Sequence, residues 1–233
     1  MRNFVINDFK NLRNVTESYI DISDKQMDLF ERFYKILMEW NKKINLISRK
    51  EENILERHFL DSILFLPEIE RLAISSQQSA ISNFLDIGSG GGFPAVPVAI
   101  MKPSWQFTFC ESIKKKANFL EHLIKELGFQ NVEVSNARVG AIGKGGFETR
   151  PNKNKYDFIT ARAVAKLDEL IKYSLPLLKK DGHLLAYKAK DIDEEIKDAE
   201  KLIEKNKLKL KIFSKEINGV ERKLVVLRHC EER

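Results

Sequence analysis

Hydrophobic residues recur at a helical period early in the chain. Met27, Phe30, Phe33, Tyr34, Leu37, Met38, Trp40 and Ile44 return every three or four positions, which predicts an amphipathic helix. Ser23 and Gln26 stand at capping-box spacing at its start. Ser48 and Glu51 repeat that spacing before Ile54, Leu55, His58, Phe59, Ser62 and Ile63, and predict the start of a second helix. The stretch Ile69 to Ser82 contains Ser-Ser-Gln-Gln-Ser and reads as a linker. The chain is accordingly divided into an N-terminal helical extension, 1–80, and a second domain, 81–233.

From Asn83 the texture changes. Phe84–Ile87, Gln106–Cys110, Val132–Ser135, Tyr156–Thr160 and His183–Tyr187 are short apolar runs that predict strands. Pro94–Met101, Ile113–Leu127, Lys166–Leu178 and Asp191–Lys205 predict helices, with Gly128 stopping the second of them. Leu208–Phe213 and Leu224–Leu227 predict a last pair of strands, and 140–155, rich in glycine and basic residues, predicts a loop. Strands separated by helices imply right-handed crossovers, hence an α/β, doubly wound, mostly parallel sheet with helices on both faces. Ligands of such sheets bind beyond the carboxyl ends of the strands, where the strand order reverses.

Composition narrows the class. No apolar run of about 18 residues exists, so no membrane span is expected. Met1-Arg2-Asn3-Phe4 lacks the apolar core of an export signal. Two cysteines exclude a disulfide-stapled scaffold and make a reducing cytoplasm the default. Four scattered histidines predict no metal site. Residues 1–80 hold 12 basic and 13 acidic side chains, so the basic excess lies in the rest of the chain. That asymmetry suits a polyanionic partner, and it equally suits a solvated lysine-rich surface. A monomer is the default state.

The segment Phe84-Leu85-Asp86-Ile87-Gly88-Ser89-Gly90-Gly91-Gly92-Phe93-Pro94 carries the chemistry. A strand runs through an acid into a glycine turn and then a helix start, a construction that lets a nucleotide-like ligand approach the backbone. Phe93 occupies the third glycine position of a dinucleotide fingerprint, and no Lys-Ser or Lys-Thr follows, so neither phosphate-binding pattern is met. Asp86-x-Gly88-x-Gly90 instead resembles the first motif of class I S-adenosylmethionine-dependent methyltransferases. Glu111, at the end of the next predicted strand, stands where an acid accepts both ribose hydroxyls.

Further segments narrow the resemblance. Trp40-Asn41-Lys42-Lys43-Ile44-Asn45-Leu46-Ile47, His58-Phe59-Leu60-Asp61-Ser62, Glu111-Ser112-Ile113-x-Lys115-Lys116, Thr160-Ala161-Arg162-Ala163-Val164-Ala165 and Pro176 to Lys188 are similar to motifs of the glucose-inhibited division protein B family. These are guanine-N7 methyltransferases of small-subunit (16S) ribosomal RNA. The resemblance covers roughly residues 20 to 230. It implies S-adenosylmethionine as cofactor. It implies ribosomal RNA, the small subunit or an assembly intermediate of it, as partner. By this resemblance Asp86, Gly88, Gly90, Phe93, Glu111, Val139, Gly140 and Arg162 form the cofactor site, with Val139 and Gly140 against the adenine and Arg162 at the mouth. Gly140 stands where the family usually has an acid, Ala95 where Gly-Phe-Pro-Gly is usual and Ala189 where Lys-Gly is usual.

Guanine N7 carries a lone pair and no proton, so the reaction implied needs no general base. Arg162, Lys188 and Arg138 are expected to position the substrate by meeting phosphate or a base edge, or else to pair with Asp86, Asp157 or Glu111. His58 is expected to be a satisfied partner of Asp61 or of backbone. Removing residues 1–70 is expected to abolish RNA methylation while leaving donor binding measurable. Two alternatives stay open: a methyltransferase of small molecules, and a non-catalytic RNA-binding protein of the same fold. Only the RNA reactions should weaken steeply with salt.

Overall fold

The computed structural model describes residues 8–17, 20–75, 82–139, 156–188 and 192–230. Among the described residues seven strands form one sheet, in the order β3-β2-β1-β4-β5-β7-β6. They are β1 (Asn83–Ile87), β2 (Gln106–Cys110), β3 (Val132–Ser135), β4 (Tyr156–Arg162), β5 (Leu178–Lys188), β6 (Leu208–Ile217) and β7 (Val220–His229). The first five run parallel, and β7 lies antiparallel between β5 and β6. Chain order reverses between β1 and β4, so their carboxyl ends open the crevice in which doubly wound sheets bind ligands.

Helices α5 (Ala95–Met101), α6 (Lys114–Leu127), α7 (Leu167–Ser174) and α8 (Asp193–Lys205) cover the sheet. Gly128 ends α6 at φ +73°, the left-handed conformation that glycine adopts freely. The predicted helix over Lys166–Leu178 is shorter than expected, because Pro176 lacks an N–H and cannot continue it. Leu178 instead begins β5 and pairs with Tyr156, and after a register shift His183 pairs with Phe158. The last two strands are ten residues each and meet in a two-residue turn. Asn218 and Gly219 have φ +51° and +74°, the paired positive values that a hairpin of this twist requires.

The N-terminal helices are α1 (Phe9–Thr16), α2 (Asp24–Asn41), a π-helix (Leu55–Leu60) running into the short α3 (Asp61–Ile63), and α4 (Leu66–Ser75). The capping box of α2 forms as expected: Gln26 N–H donates to Ser23 Oγ at 3.3 Å and Ser23 N–H to Gln26 Oε1 at 2.9 Å. The Ser48/Glu51 box does not form. Ser48 Oγ accepts from Lys50 N–H two residues on, Glu51 faces Arg57, and helix begins only near Leu55. Helix α1 had no predicted counterpart. Its start is capped by Asp8, whose Oδ1 accepts from Asn11 N–H at 2.7 Å.

Ile69–Ser75, predicted as linker, is the end of α4, and Ile69 is fully buried. The division placed at 80/81 lies outside the described residues. Helices before it and the sheet after it share one apolar core, which joins Phe30, Phe33 and Phe59 to Phe84, Phe93 and Phe158. Leu85 and Ile87 point to the opposite face and pack with α7 and α8. Alternation along β1 thus sends Phe84 and Asp86 toward the N-terminal helices and their neighbours away from them.

Candidate active site: two joined hollows at the carboxyl edge

Beyond Ile87 the chain turns back on itself. Gly88 N–H and Ser89 N–H both donate to Cys110 O, at 2.8 and 3.2 Å, and bind the turn to the end of β2. Gly88 has φ +71°, and a Cβ there would stand 2.7 Å from Val164 Cγ2. Gly92 has φ +91°, and its missing side chain makes room for Val96 and Phe33. Gly91 lies under Leu46 O. That carbonyl belongs to a loop fixed by buried Asn41, whose Oδ1 accepts from Leu46 and Ile47 N–H at 2.9 and 3.1 Å. The Trp40–Ile47 motif therefore backs the glycine turn from the N-terminal side.

Glu111 closes the turn from the other side. Its Oε2 accepts from Gly90 N–H at 2.9 Å and its Oε1 from Ile113 N–H at 2.7 Å. The carboxylate is almost fully buried, yet a carboxylate has about four acceptor sites and two remain for a ligand's hydroxyls. Its sequence neighbours Cys110 and Ser112 line a hollow of about 410 Å³, together with Gly88, Ala137, Arg138, Val139, Val164 and Tyr173. Val139 is buried in its wall and Arg138 is exposed at it. Burial pushes the Cys110 thiol up to about 12, and the thiol donates to Ala137 O. It is not a nucleophile at neutral pH. Gly140 lies outside the described residues.

A larger hollow of about 860 Å³ adjoins the first, and Val164 and Ala165 line both. Between β4 and these two residues the chain passes through Ala163 at φ +57°, a left-handed turn that costs a non-glycine residue about 1 kcal/mol or more. Arg162 stands at the junction. Its Nη1 donates to Arg57 O at 3.2 Å, its Nη2 contacts His58 Nδ1, and its guanidinium carbon lies 5.5 Å from the Phe93 ring centroid. His58 is thus the partner of Arg162, not of Asp61 or of backbone, because the π-helix turns Nδ1 and the Arg57 carbonyl toward the same guanidinium. The ring is not fully satisfied, since its buried Nε2 has no partner among the described residues. Burial and the neighbouring arginines lower the His58 imidazole to about 4. The neutral ring keeps Nδ1 as an acceptor.

Phe93 is buried, with Phe33, His58 and Phe59 at ring-centroid distances of 5.0, 5.0 and 5.2 Å. It joins the glycine turn to the N-terminal helices and serves as the floor under Arg162. Lys188 lines the larger hollow, but its ammonium is held by Glu195 Oε2 at 2.5 Å and Ala165 O at 3.1 Å. Asp157, one of the acids expected to pair with these cations, is taken by Lys179 at 2.8 Å. Asp86 is buried beneath. Its Oδ1 accepts from Thr160 Oγ1–H at 2.6 Å, and its Oδ2 has no hydrogen-bond partner among the described residues. Desolvation raises its carboxyl to about 7. His183 is a core residue stacked on Phe158 and takes no part in the site.

Asp61 and Arg222 line the larger hollow as well, joined Oδ1 to Nε at 2.7 Å. The motif around His58 contained Asp61, but its partner lies 161 residues away, so nothing in local spacing marked the pair.

The smaller hollow fits an adenosyl ligand. Its volume falls in the range of about 300–1,000 Å³ usual for cofactor pockets. A glycine turn without room for a Cβ at Gly88 borders it, and a buried carboxylate with spare acceptor sites stands at its edge. Fold and turn together define a class I methyltransferase. An O-methyltransferase from Bacillus cereus, solved in complex with SAH, has the same fold, with a TM-score of 0.59 at 13% identity over 93% of this chain and 96% of that one.

The family model for rRNA small subunit methyltransferase G (GidB) matches residues 26–225, and the chain belongs to that family. The ribosomal RNA small subunit methyltransferase G of Lactococcus lactis subsp. cremoris is 40% identical over 227 residues, covering 95% of this chain and 90% of its own length. That of Desulforamulus reducens is 40% identical over 189 residues, covering 81% and 74%.

Among the described residues, no helix is long and apolar enough to cross a membrane, and no His/Cys/Asp/Glu cluster is arranged to hold a metal.

Proposed function

We propose that the chain methylates N7 of a guanine in 16S ribosomal RNA, using S-adenosylmethionine, in the small subunit or an assembly intermediate of it in the cytoplasm. The observation that carries this reading is the adjacency of a glycine-and-carboxylate nucleoside cradle to a second, larger, cation-lined hollow, in a chain of this family. Gly88, Gly90, Glu111 and Val139 would hold the donor's nucleoside, and Asp86, Phe93 and Arg162 would shape the side that faces the substrate. The bound donor supplies an electrophilic methyl group on a sulfonium.

The protein's own task is placement. Guanine N7 presents a lone pair, so no side chain has to remove a proton. Holding two reactants in line is worth roughly 7–11 kcal/mol of barrier. Arg162 is aimed by His58, Arg57 O and Phe93, and it is suited to meet a base edge or phosphate. Lys188 steadies the wall through Glu195, and Arg138 lies exposed at the mouth of the donor hollow, where a phosphate can reach it. The expected test is labelled-methyl transfer to ribosomal RNA from cells that lack this protein, followed by mapping of the modified base. Label on a single guanine, with transfer falling steeply as salt rises, supports the reading. Label elsewhere, or none, refutes it.

A further inference from the structure

We infer that the larger hollow seats the guanine base, and that Asp61 recognises it by accepting from the N1–H and exocyclic N2–H groups. This rests on the guanine reading above. Three observations lead to it. The first is connectivity. The two hollows meet at Val164 and Ala165, so a methyl group passing from one ligand to the other crosses there. At about 860 Å³ the second hollow can take a purine nucleotide drawn out of its stack.

The second is the choice of carboxylate. Glu51, Asp61, Glu195 and Glu221 line this hollow. Glu195 is committed to Lys188 and to Leu167 N–H, where it ties α8 to α7. Glu221, the most exposed of the four, accepts from Ser214 Oγ–H, and Glu51 faces Arg57. Asp61 is 17% exposed; burial raises its carboxyl above the ordinary range, and Arg222 and Arg162 oppose that rise. Arg222 engages its Oδ1 alone at hydrogen-bond distance and is itself anchored 3.6 Å from Glu56. The carboxylate is therefore fixed in place with acceptor positions to spare.

The third is chemical match. Among the four RNA bases only guanine presents two adjacent donors on its Watson–Crick edge, and two carboxylate oxygens complement them. N7 lies on the opposite side of the purine, so a base held by Asp61 keeps that lone pair free. Val164 offers an apolar surface for the ring, while Arg57, Lys166 and Lys223 supply cations for flanking phosphates.

The test uses the full-length protein and small-subunit RNA ligated to carry guanosine or inosine at the mapped position. Inosine keeps N7 and N1–H and lacks the N2 amino group. The wild type is expected to prefer guanosine about tenfold in kcat/KM, the discrimination usual for a matched base contact. Asp61→Asn is expected to lose most activity on guanosine RNA and to show no preference, with donor affinity and thermal midpoint near wild type. Arg222→Gln loosens the carboxylate without removing it, and is expected to lower activity while keeping a preference for guanosine. An Asp61→Asn protein that still prefers guanosine, or a wild type indifferent to the two RNAs, overturns the assignment. A wild type that methylates neither RNA refutes the underlying function instead.

Discussion

The amide of Gly90 donates to Glu111 Oε2 at 2.9 Å, so the glycine turn and the acid at the end of β2 form one hydrogen-bonded unit. Glu111→Gln keeps the size but replaces a charge-assisted acceptor. Bonds to charged groups contribute about 1.5–3 kcal/mol. The variant is expected to bind S-adenosylmethionine about 10- to 100-fold more weakly in a calorimetric titration. Unchanged affinity would separate Glu111 from the donor.

Gly88 and Gly90 both have positive φ, but only Gly88 lacks space. A Cβ at Gly90 would meet nothing closer than 3.6 Å, whereas one at Gly88 would press on Val164 at 2.7 Å. Gly90→Ala should therefore cost only the left-handed backbone penalty, about 1–2 kcal/mol. Gly88→Ala should lower the melting temperature further and also displace Val164, the residue between the two hollows. Equal melting temperatures for the two variants would contradict this.

Asp86 gives a stability difference with a definite pH sign. Burial raises its carboxyl to about 7 in the folded protein, against 3.8 for the unfolded chain. The stabilising contribution of the protonated acid is present below pH 3.8 and is lost as pH rises to about 7. Between those values a rise of one in pH costs at most about 1.4 kcal/mol. Asp86→Asn, which cannot ionise, should match the wild type near pH 4 and exceed it increasingly up to pH 7–8 in denaturant titrations. A gap that shrinks with rising pH would be the wrong sign.

His58 works in the other direction. Its folded value of about 4 lies below the ordinary 6.5, so the unfolded chain takes up protons that the folded one refuses. Stability is full above pH 6.5 and falls as pH drops toward 4. Protonation would also remove the acceptor that faces Arg162. His58→Phe should lose RNA methylation while retaining donor binding, and His58→Asn, which restores a carbonyl acceptor, should recover part of it. Equal activities in the two variants would exclude the acceptor role.

The sheet and the joining of the glycine turn to Glu111 were legible because their signals are local. Strands β2 and β3 fall on the predicted residues, and the glycine run and Glu111 lie within one strand-turn-helix-strand unit. The hairpin at Asn218-Gly219 also had a local signal, an Asn-Gly pair between alternating runs, which the shorter predicted strands did not use. The Ser48/Glu51 spacing misled because serine there serves a tight turn, a competing use of the same hydroxyl. What no local pattern could disclose is the pairing of Arg162 with His58 and of Asp61 with Arg222, since each joins segments more than a hundred residues apart.

The shared core changes the expectation for truncation. Loss of residues 1–70 would strip Phe33 and Phe59 from Phe93 and uncover part of the apolar core that α5 and α6 share with the N-terminal helices. Burial of a single such ring is worth about 3–5 kcal/mol, a large part of a domain's whole stability. The truncated chain is expected to lack a cooperative thermal transition and, with it, measurable donor binding. A cooperative transition with intact donor affinity would show that the catalytic domain stands alone.

The wall of the larger hollow is stitched between Glu56 and Asp61, near the beginning of the chain, and Asn218 and Arg222, near its end. A polypeptide emerging amino end first can assemble its early helices, but it has no finished pocket until the last hairpin has left the exit tunnel. The larger hollow thus comes into being only when the segment carrying Asn218 and Arg222 has closed against the early helices, so its formation is a late event in the folding of the chain.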